Sequence, residues 1–196
     1  MERITRRLSA FFINRLPYAE RPEVPITGVD MSFEKILLIG LGNPILGDDG
    51  VGWAIVREVE SRIGAAAASV EVDYLSLGGL SLMERLIGYK KVVLIDSLTT
   101  GARPEGEVAV FALSDLADIA SGHMTAAHDT SLKTALAVGR KLGAALPEDK
   151  DIRVVAVEAK QVYDIQEGLT PAVAAAVPVA VQQVLDILKT LQTDLS

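Results

Sequence analysis

The chain has 196 residues, enough for one α/β domain with a full hydrophobic core and too few for two ordinary domains and a linker. Its formal net charge of −7, with no segment that supplies a basic face, argues against nucleic acid as a partner. Cysteine is absent, which excludes disulfides, thiolate zinc sites and a cysteine nucleophile and fits a reducing, cytoplasmic setting.

Met1 to Ala19 carries four Arg against one Glu, and Pro22, Pro25 and Gly28 then break any regular element. Residues 1–34 therefore read as an N-terminal extension, expected to be flexible, with the domain itself spanning residues 35–196. Ile4, Leu8, Phe11, Phe12 and Leu16 recur at near-helical spacing, so the alternative is an amphipathic targeting or docking helix. A plain tail, or an upstream start codon before Met31, is the simpler reading.

From Lys35 the pattern becomes regular. Lys35 to Leu41 is a continuously apolar run ending in glycines, which predicts a buried strand; Val51, Ile55, Val59 and Ile63 predict a helix over 50–63. Val70 to Leu75 reads as a second strand, Leu80 to Ile87 as a helix, and Lys91 to Ile95 as another buried strand ending at Asp96. Glu107 to Leu113 and Ile152 to Val157 predict two more strands, with Thr130 to Leu146 helical between them. The last helix is expected to open with Thr170 as N-cap and Pro171 at its first position, to kink at Pro178 and to end near Leu191. The longest apolar stretch, Ala172 to Val181, is about half the roughly 20 residues of a membrane span, so no membrane insertion is expected. Five strands alternating with helices imply an α/β fold: three layers, with a central, mostly parallel five-stranded sheet flanked by helices.

In such a sheet, ligands bind beyond the carboxyl ends of the strands. The first loop there runs Gly40-Leu-Gly-Asn-Pro-Ile-Leu-Gly-Asp-Asp-Gly50. It is not a nucleotide loop, because Ile45 stands where a dinucleotide fingerprint needs its third glycine, and Asp48 and Asp49 follow Gly47 where a phosphate loop needs Lys. One of these aspartates has a structural explanation as the cap of the helix starting near Gly50, with the other favouring its positive end. A cap needs one carboxylate, which leaves the second for the crevice. Asp96 closes a buried strand, either as a turn aspartate or as a crevice carboxylate. His128 follows the loop from Ser121 to Ala127 at a helix start, where a lone histidine is more often a cap or a surface residue than a ligand. Together, Asp49, Asp96 and His128 offer two carboxylates and an imidazole, a donor set suited to a divalent transition ion with positions left open. There is no Gly-x-Ser-x-Gly, and His123 and His128 lack the intervening Glu of a zinc-protease helix, so His123 is at most an auxiliary ligand.

Four motifs in order resemble the hydrogenase maturation proteases, which trim the C-terminus of the nickel-iron hydrogenase large subunit. They are Ile39 to Gly52, Val93-Leu-Ile-Asp96, the His128 region, and Gly168-Leu-Thr-Pro-Ala-Val173 with the closing helix. The resemblance covers about Lys35 to Leu191. It implies a phosphorylase/hydrolase-like α/β fold, nickel bound by Asp49, Asp96 and His128 as metal and catalytic residues, nickel supplied within the precursor, and that precursor as the partner. The chain departs from the family at Leu77, where relatives often place Asp before the paired glycines. A peptidyl-tRNA hydrolase shares the Gly-Leu-Gly-Asn-Pro stretch but expects an Arg-His-Asn motif and a basic surface that are missing here. A nickel-dependent maturation chaperone that holds the precursor without cutting it is the non-enzymatic alternative.

Overall fold

The computed structural model describes residues 35–117, 127–160, 162, 165–166 and 168–195. The expectations for residues 1–34 and for His123 lie outside the described residues. The elements are Ile36–Leu41 (β1), a 3-10 turn at Gly47–Gly50, Val51–Arg62 (α1), Val70–Leu75 (β2), Gly79–Leu86 (α2), Lys91–Leu98 (β3), Val108–Ala112 (β4), Ala127–Lys141 (α3), Ile152–Glu158 (β5) and Pro171–Leu195 (α4). All five expected strands form one sheet in the order β2-β1-β3-β5-β4. β2, β1, β3 and β5 are parallel, and β4 lies antiparallel on the edge of β5.

The core divides as strand alternation requires, since successive side chains point to opposite faces. Ile36 and Leu38 of β1 with Val93 and Ile95 of β3 face α1 and α4, meeting Ile55, Val59, Val181 and Val184. Leu37 and Ile39 with Val92 and Leu94 face the other layer, meeting Leu82 and Leu86 of α2 and Leu132 and Leu136 of α3. Each of these fully buried aliphatic side chains contributes about 1.5–3 kcal/mol relative to exposure. β1 is buried at all six positions because both faces are covered, and so its sequence is a continuous apolar run rather than an alternating one.

Two helices depart from the expected limits. α3 begins before Thr130 and ends at Lys141, where Gly143, at φ +85°, accepts the left-handed turn that closes it. Leu146, which prolonged the helical spacing in sequence, packs on the core from the loop beyond. α4 runs through Pro178 without a break and on to Leu195. By length and composition its Pro171–Asp194 stretch would suffice to cross a membrane, contrary to the short apolar stretch read from the sequence. Its apolar residues Val173, Ala180, Val184 and Leu188 are spent on the sheet and α1.

The topology also locates the site. From β1 the chain crosses to β2 on one side, and from β2 it returns to β3 on the other side of β1. The carboxyl ends of β1 and β3 thus flank a topological switch point, where the connections leave in opposite directions and open a crevice.

Candidate functional site

The loop after β1 folds back on itself. Gly42 sits at φ +112°, and a Cβ there would lie 1.8 Å from the Asp49 carbonyl oxygen, so the return of the loop onto its own start needs glycine. Asn43 tightens the turn: its carbonyl accepts from the Leu46 N–H at 3.0 Å and its side-chain oxygen from the Ile45 N–H at 3.2 Å. Its own N–H donates to Asp49 Oδ2 at 2.6 Å.

The two adjacent aspartates take different partners, and neither caps α1, whose N-terminus has no side-chain capping bond. Asp48 is fully buried and accepts from the Thr170 N–H at 2.7 Å and from its hydroxyl at 3.0 Å. It therefore ties the first loop to the start of α4, 122 residues on. Thr170 precedes Pro171 at the expected cap position, but its hydroxyl is directed to Asp48 and, at 3.2 Å, to Glu105. Asp49 is half-buried and turns toward β3, accepting from the Ser97 hydroxyl at 3.3 Å on Oδ1.

Asp96 lies within β3, which continues past the expected end at Asp96 to Leu98 because Ser97 and Leu98 still pair with β5, and the Ser97 N–H donates to its Oδ1 at 2.8 Å. The segment beyond β3 is anchored by Glu158 at the end of β5, only 2% exposed. Its carboxylate accepts from the N–H groups of Thr100 and Gly101 at 2.8 and 2.7 Å and from the Thr100 hydroxyl at 2.7 Å. These three bonds satisfy a buried charge with donors from the loop that follows Asp96 and Ser97, so the crevice wall is held in place from the neighbouring strand.

Asp49 thus reaches β3 through the Ser97 hydroxyl, and Asp96, the neighbour of Ser97 in that strand, accepts from the Ser97 N–H. His128 falls at the second position of α3; its backbone is described and its side chain is not. Among the described residues no group of three His, Cys, Asp or Glu side chains is placed to hold a metal ion. Leu77 is 43% exposed, beside Ser76, whose hydroxyl donates to the Gly42 carbonyl at 2.7 Å, so the loop with the departure from the family pattern borders the first loop. Sequence reasoning missed Ser97, Thr170 as the partner of Asp48, and Glu158. A serine after the aspartate that follows an apolar run carries no distinguishing signal; β3 itself continues past Asp96 to Leu98, and Glu158, which follows the apolar run of β5, was open to the same argument as Asp96.

A cleft of about 410 Å³ lies elsewhere, lined by Lys91 at the amino end of β3, by β5 and by the C-terminal half of α4. Its cations, Lys91, Lys150 and Arg153, are matched by Asp151, Asp186 and Asp194, and Lys91 already pairs with Asp151 at 2.7 Å. Such a balance favours neither an anion nor a cation, and the cleft is at the wrong end of the sheet for the crevice acids.

An open α/β sheet with an acidic crevice at its switch point is a common frame for hydrolytic and ligand-binding proteins. Comparison with known proteins narrows the class. The family model of the hydrogenase maturation protease HycI matches residues 54–187, and the chain belongs to that family and is a peptidase. The coenzyme F420 hydrogenase subunit delta of Methanothermobacter thermautotrophicus is 27% identical over 158 residues, covering 78% of this chain and 93% of that protein. The fold is similar to that of the hydrogenase maturating endopeptidase HybD of Escherichia coli, with a TM-score of 0.64 at 23% identity over 80% of this chain and 93% of that one. It is also similar to HybD of Thermococcus kodakarensis, with a TM-score of 0.58 at 23% identity over 79% of this chain and 99% of that one. Family membership disposes of the peptidyl-tRNA hydrolase alternative.

Proposed function

We propose that this chain is the endopeptidase that removes the C-terminal extension of a nickel-iron hydrogenase large-subunit precursor after nickel insertion, with Asp49, Asp96 and His128 binding the nickel carried by that precursor. The observation that carries this reading is the bond from the Ser97 hydroxyl, next to Asp96 in β3, to Asp49 of the first loop, at the switch point of a maturation-protease fold. The donor set fits the ion: both oxygens of Asp49 accept one hydrogen bond each from an uncharged donor, which leaves further lone pairs for a cation. Two carboxylates and a neutral imidazole suit a divalent ion of nickel's intermediate softness. When bound, the ion supplies Lewis-acid polarisation of the scissile carbonyl or of a water. Hydrolysis also requires a base for the attacking water, and the crevice carboxylates are the described groups able to accept that proton.

The test is incubation of the purified chain with nickel-loaded and nickel-free precursor, followed by the mass of the large subunit. Shortening at the C-terminus that requires nickel supports the reading. Stable binding of the loaded precursor with its mass unchanged overturns it in favour of a non-cleaving chaperone. The catalytic domain on this reading is residues 35–196, acting in the cytoplasm, and a chain starting at Met31 should process the precursor at the full rate. Loss of processing on that truncation would assign the first thirty residues to substrate docking.

A further inference from the structure

We infer that Ser97 is a positioning residue that sets the Asp49 carboxylate for the incoming cation. The inference rests on Asp49 being a ligand, as proposed above. Asp49 hangs from a loop and Ser97 sits in a strand 48 residues on, so nothing in the local chain of Asp49 fixes its carboxylate relative to β3. Ser97 lies in β3 opposite Val157 of β5, inside a ladder that holds its backbone whatever its side chain. Its N–H donates to Asp96 Oδ1 at 2.8 Å, and its hydroxyl donates to Asp49 Oδ1 at 3.3 Å. Asn43 N–H holds the other oxygen of Asp49 at 2.6 Å. With one donor on each oxygen the Asp49 carboxylate is fixed in rotation about its terminal bond, a torsion otherwise broad. Removing the hydroxyl leaves one tether, and the carboxylate plane turns freely about it.

A metal-ligating carboxylate is ordinarily oriented by such outer hydrogen bonds, and their loss lowers metal affinity by about 10–100-fold. The Ser97 bond is long and its donor is uncharged, so its loss belongs at the lower end, about tenfold. Asp49→Ala, which removes the ligand itself, should lower affinity further.

The experiment titrates Ni²⁺ alone into the full chain by calorimetry, comparing the native protein with Ser97→Ala, Ser97→Thr, Ser97→Val and Asp49→Ala. Thr and Val have nearly the same shape and suit a strand equally, so their difference reads the hydroxyl and not the packing. Expected are near-native affinity for Ser97→Thr, about tenfold weaker binding for Ser97→Val and Ser97→Ala, and a raised KM for nickel-loaded precursor with kcat largely kept. If Ser97→Val binds nickel as Ser97→Thr does while Asp49→Ala has lost it, the positioning role is wrong and the ligand reading stands. If Asp49→Ala binds nickel like the native chain, or the native chain takes up no nickel at millimolar metal, the ligand reading fails and the role of Ser97 fails with it.

Discussion

Glu71 and Asp73 on the β2 edge face a guanidinium, whereas Asp48 and Asp49 in the crevice are held by amide N–H groups and hydroxyls. Arg85 Nη2 meets Glu71 at 2.7 Å, its Nε donates to Asp73, its Nη1 reaches the Tyr89 hydroxyl at 3.0 Å, and its guanidinium lies 5.1 Å from the centre of the Tyr89 ring. Those two acids share one guanidinium, whose charge offsets part of theirs where they stand. The described partners of Asp48 and Asp49 are all neutral, so the crevice acids are oriented without being discharged. The contrast separates acids that staple a surface helix to an edge strand from acids whose charge remains to be used. It also divides the crevice itself, because Asp48 is sealed against Thr170 while Asp49 remains half-open.

The sharpest way to break this comparison is to remove one acid of each kind. Asp49→Ala should slow precursor processing by on the order of 100-fold or more while the melting temperature barely moves, since a group that supplies a metal ligand contributes little to the core. Asp48→Ala, next to it in sequence, should instead lower stability by about 1–2 kcal/mol through the lost acceptors at the start of α4. Equal effects of the two on melting and on processing would erase the distinction.

Glu158 is the next test, since it is a buried acid held by neutral donors yet assigned an anchoring role. Glu158→Gln keeps an oxygen for the Thr100 and Gly101 N–H groups, and the Thr100 hydroxyl can turn to accept from the new amide, so what is lost is the charge on the acceptor of three bonds, and hydrogen bonds to a charged group are worth about 1.5–3 kcal/mol each against about 1 for neutral ones. A loss of roughly 3 kcal/mol is expected, read as a fall of several degrees in the melting temperature. A variant as stable as the native protein would show that the loop beyond β3 is held by something else.

Arg85→Met should cost about 1–2 kcal/mol, because partly exposed ion pairs are weak and the Met keeps much of the apolar stem, and it should leave processing unchanged. A processing defect would extend the site to the β2 edge. The smallest effect concerns acid. Burial pushes the Glu71 carboxyl up, but hydrogen bonds with Tyr89 and Arg85 and the charge of Arg85 outweigh it and hold the group below its ordinary value. A depressed carboxyl contributes stability that is present above its unfolded value of about 4.3 and is lost as pH falls through the folded value. Glu71→Gln should therefore be less stable than the native chain at neutral pH, by under about 1 kcal/mol for so exposed a pair, and the gap should close as pH falls through the lowered folded value. A gap that persists into stronger acid would mean that packing, not charge, is lost.

Much of this was legible along the chain. β1, β3 and β5 announced themselves because a strand covered on both faces carries a nearly continuous apolar run, and Asp96 stood out as the carboxylate after one of them, although β3 continues beyond it to Leu98. The acidic loop after β1 could be told from a phosphate loop because charge and glycine placement are properties of a few adjacent residues. Helix ends were less legible: Leu146 kept the helical spacing although Gly143 had already turned the chain, since hydrophobic periodicity records burial and not hydrogen bonding. The tertiary structure alone decided which of two neighbouring aspartates faces the crevice. That choice depends on Thr170 and Ser97, residues 122 and 48 positions away, and a hydrogen bond across such a separation is set by how layers pack. The sheet order belongs with it: the alternation of strands and helices required parallel neighbours, but only packing placed β1 between β2 and β3 and so opened the crevice between the ends of β1 and β3.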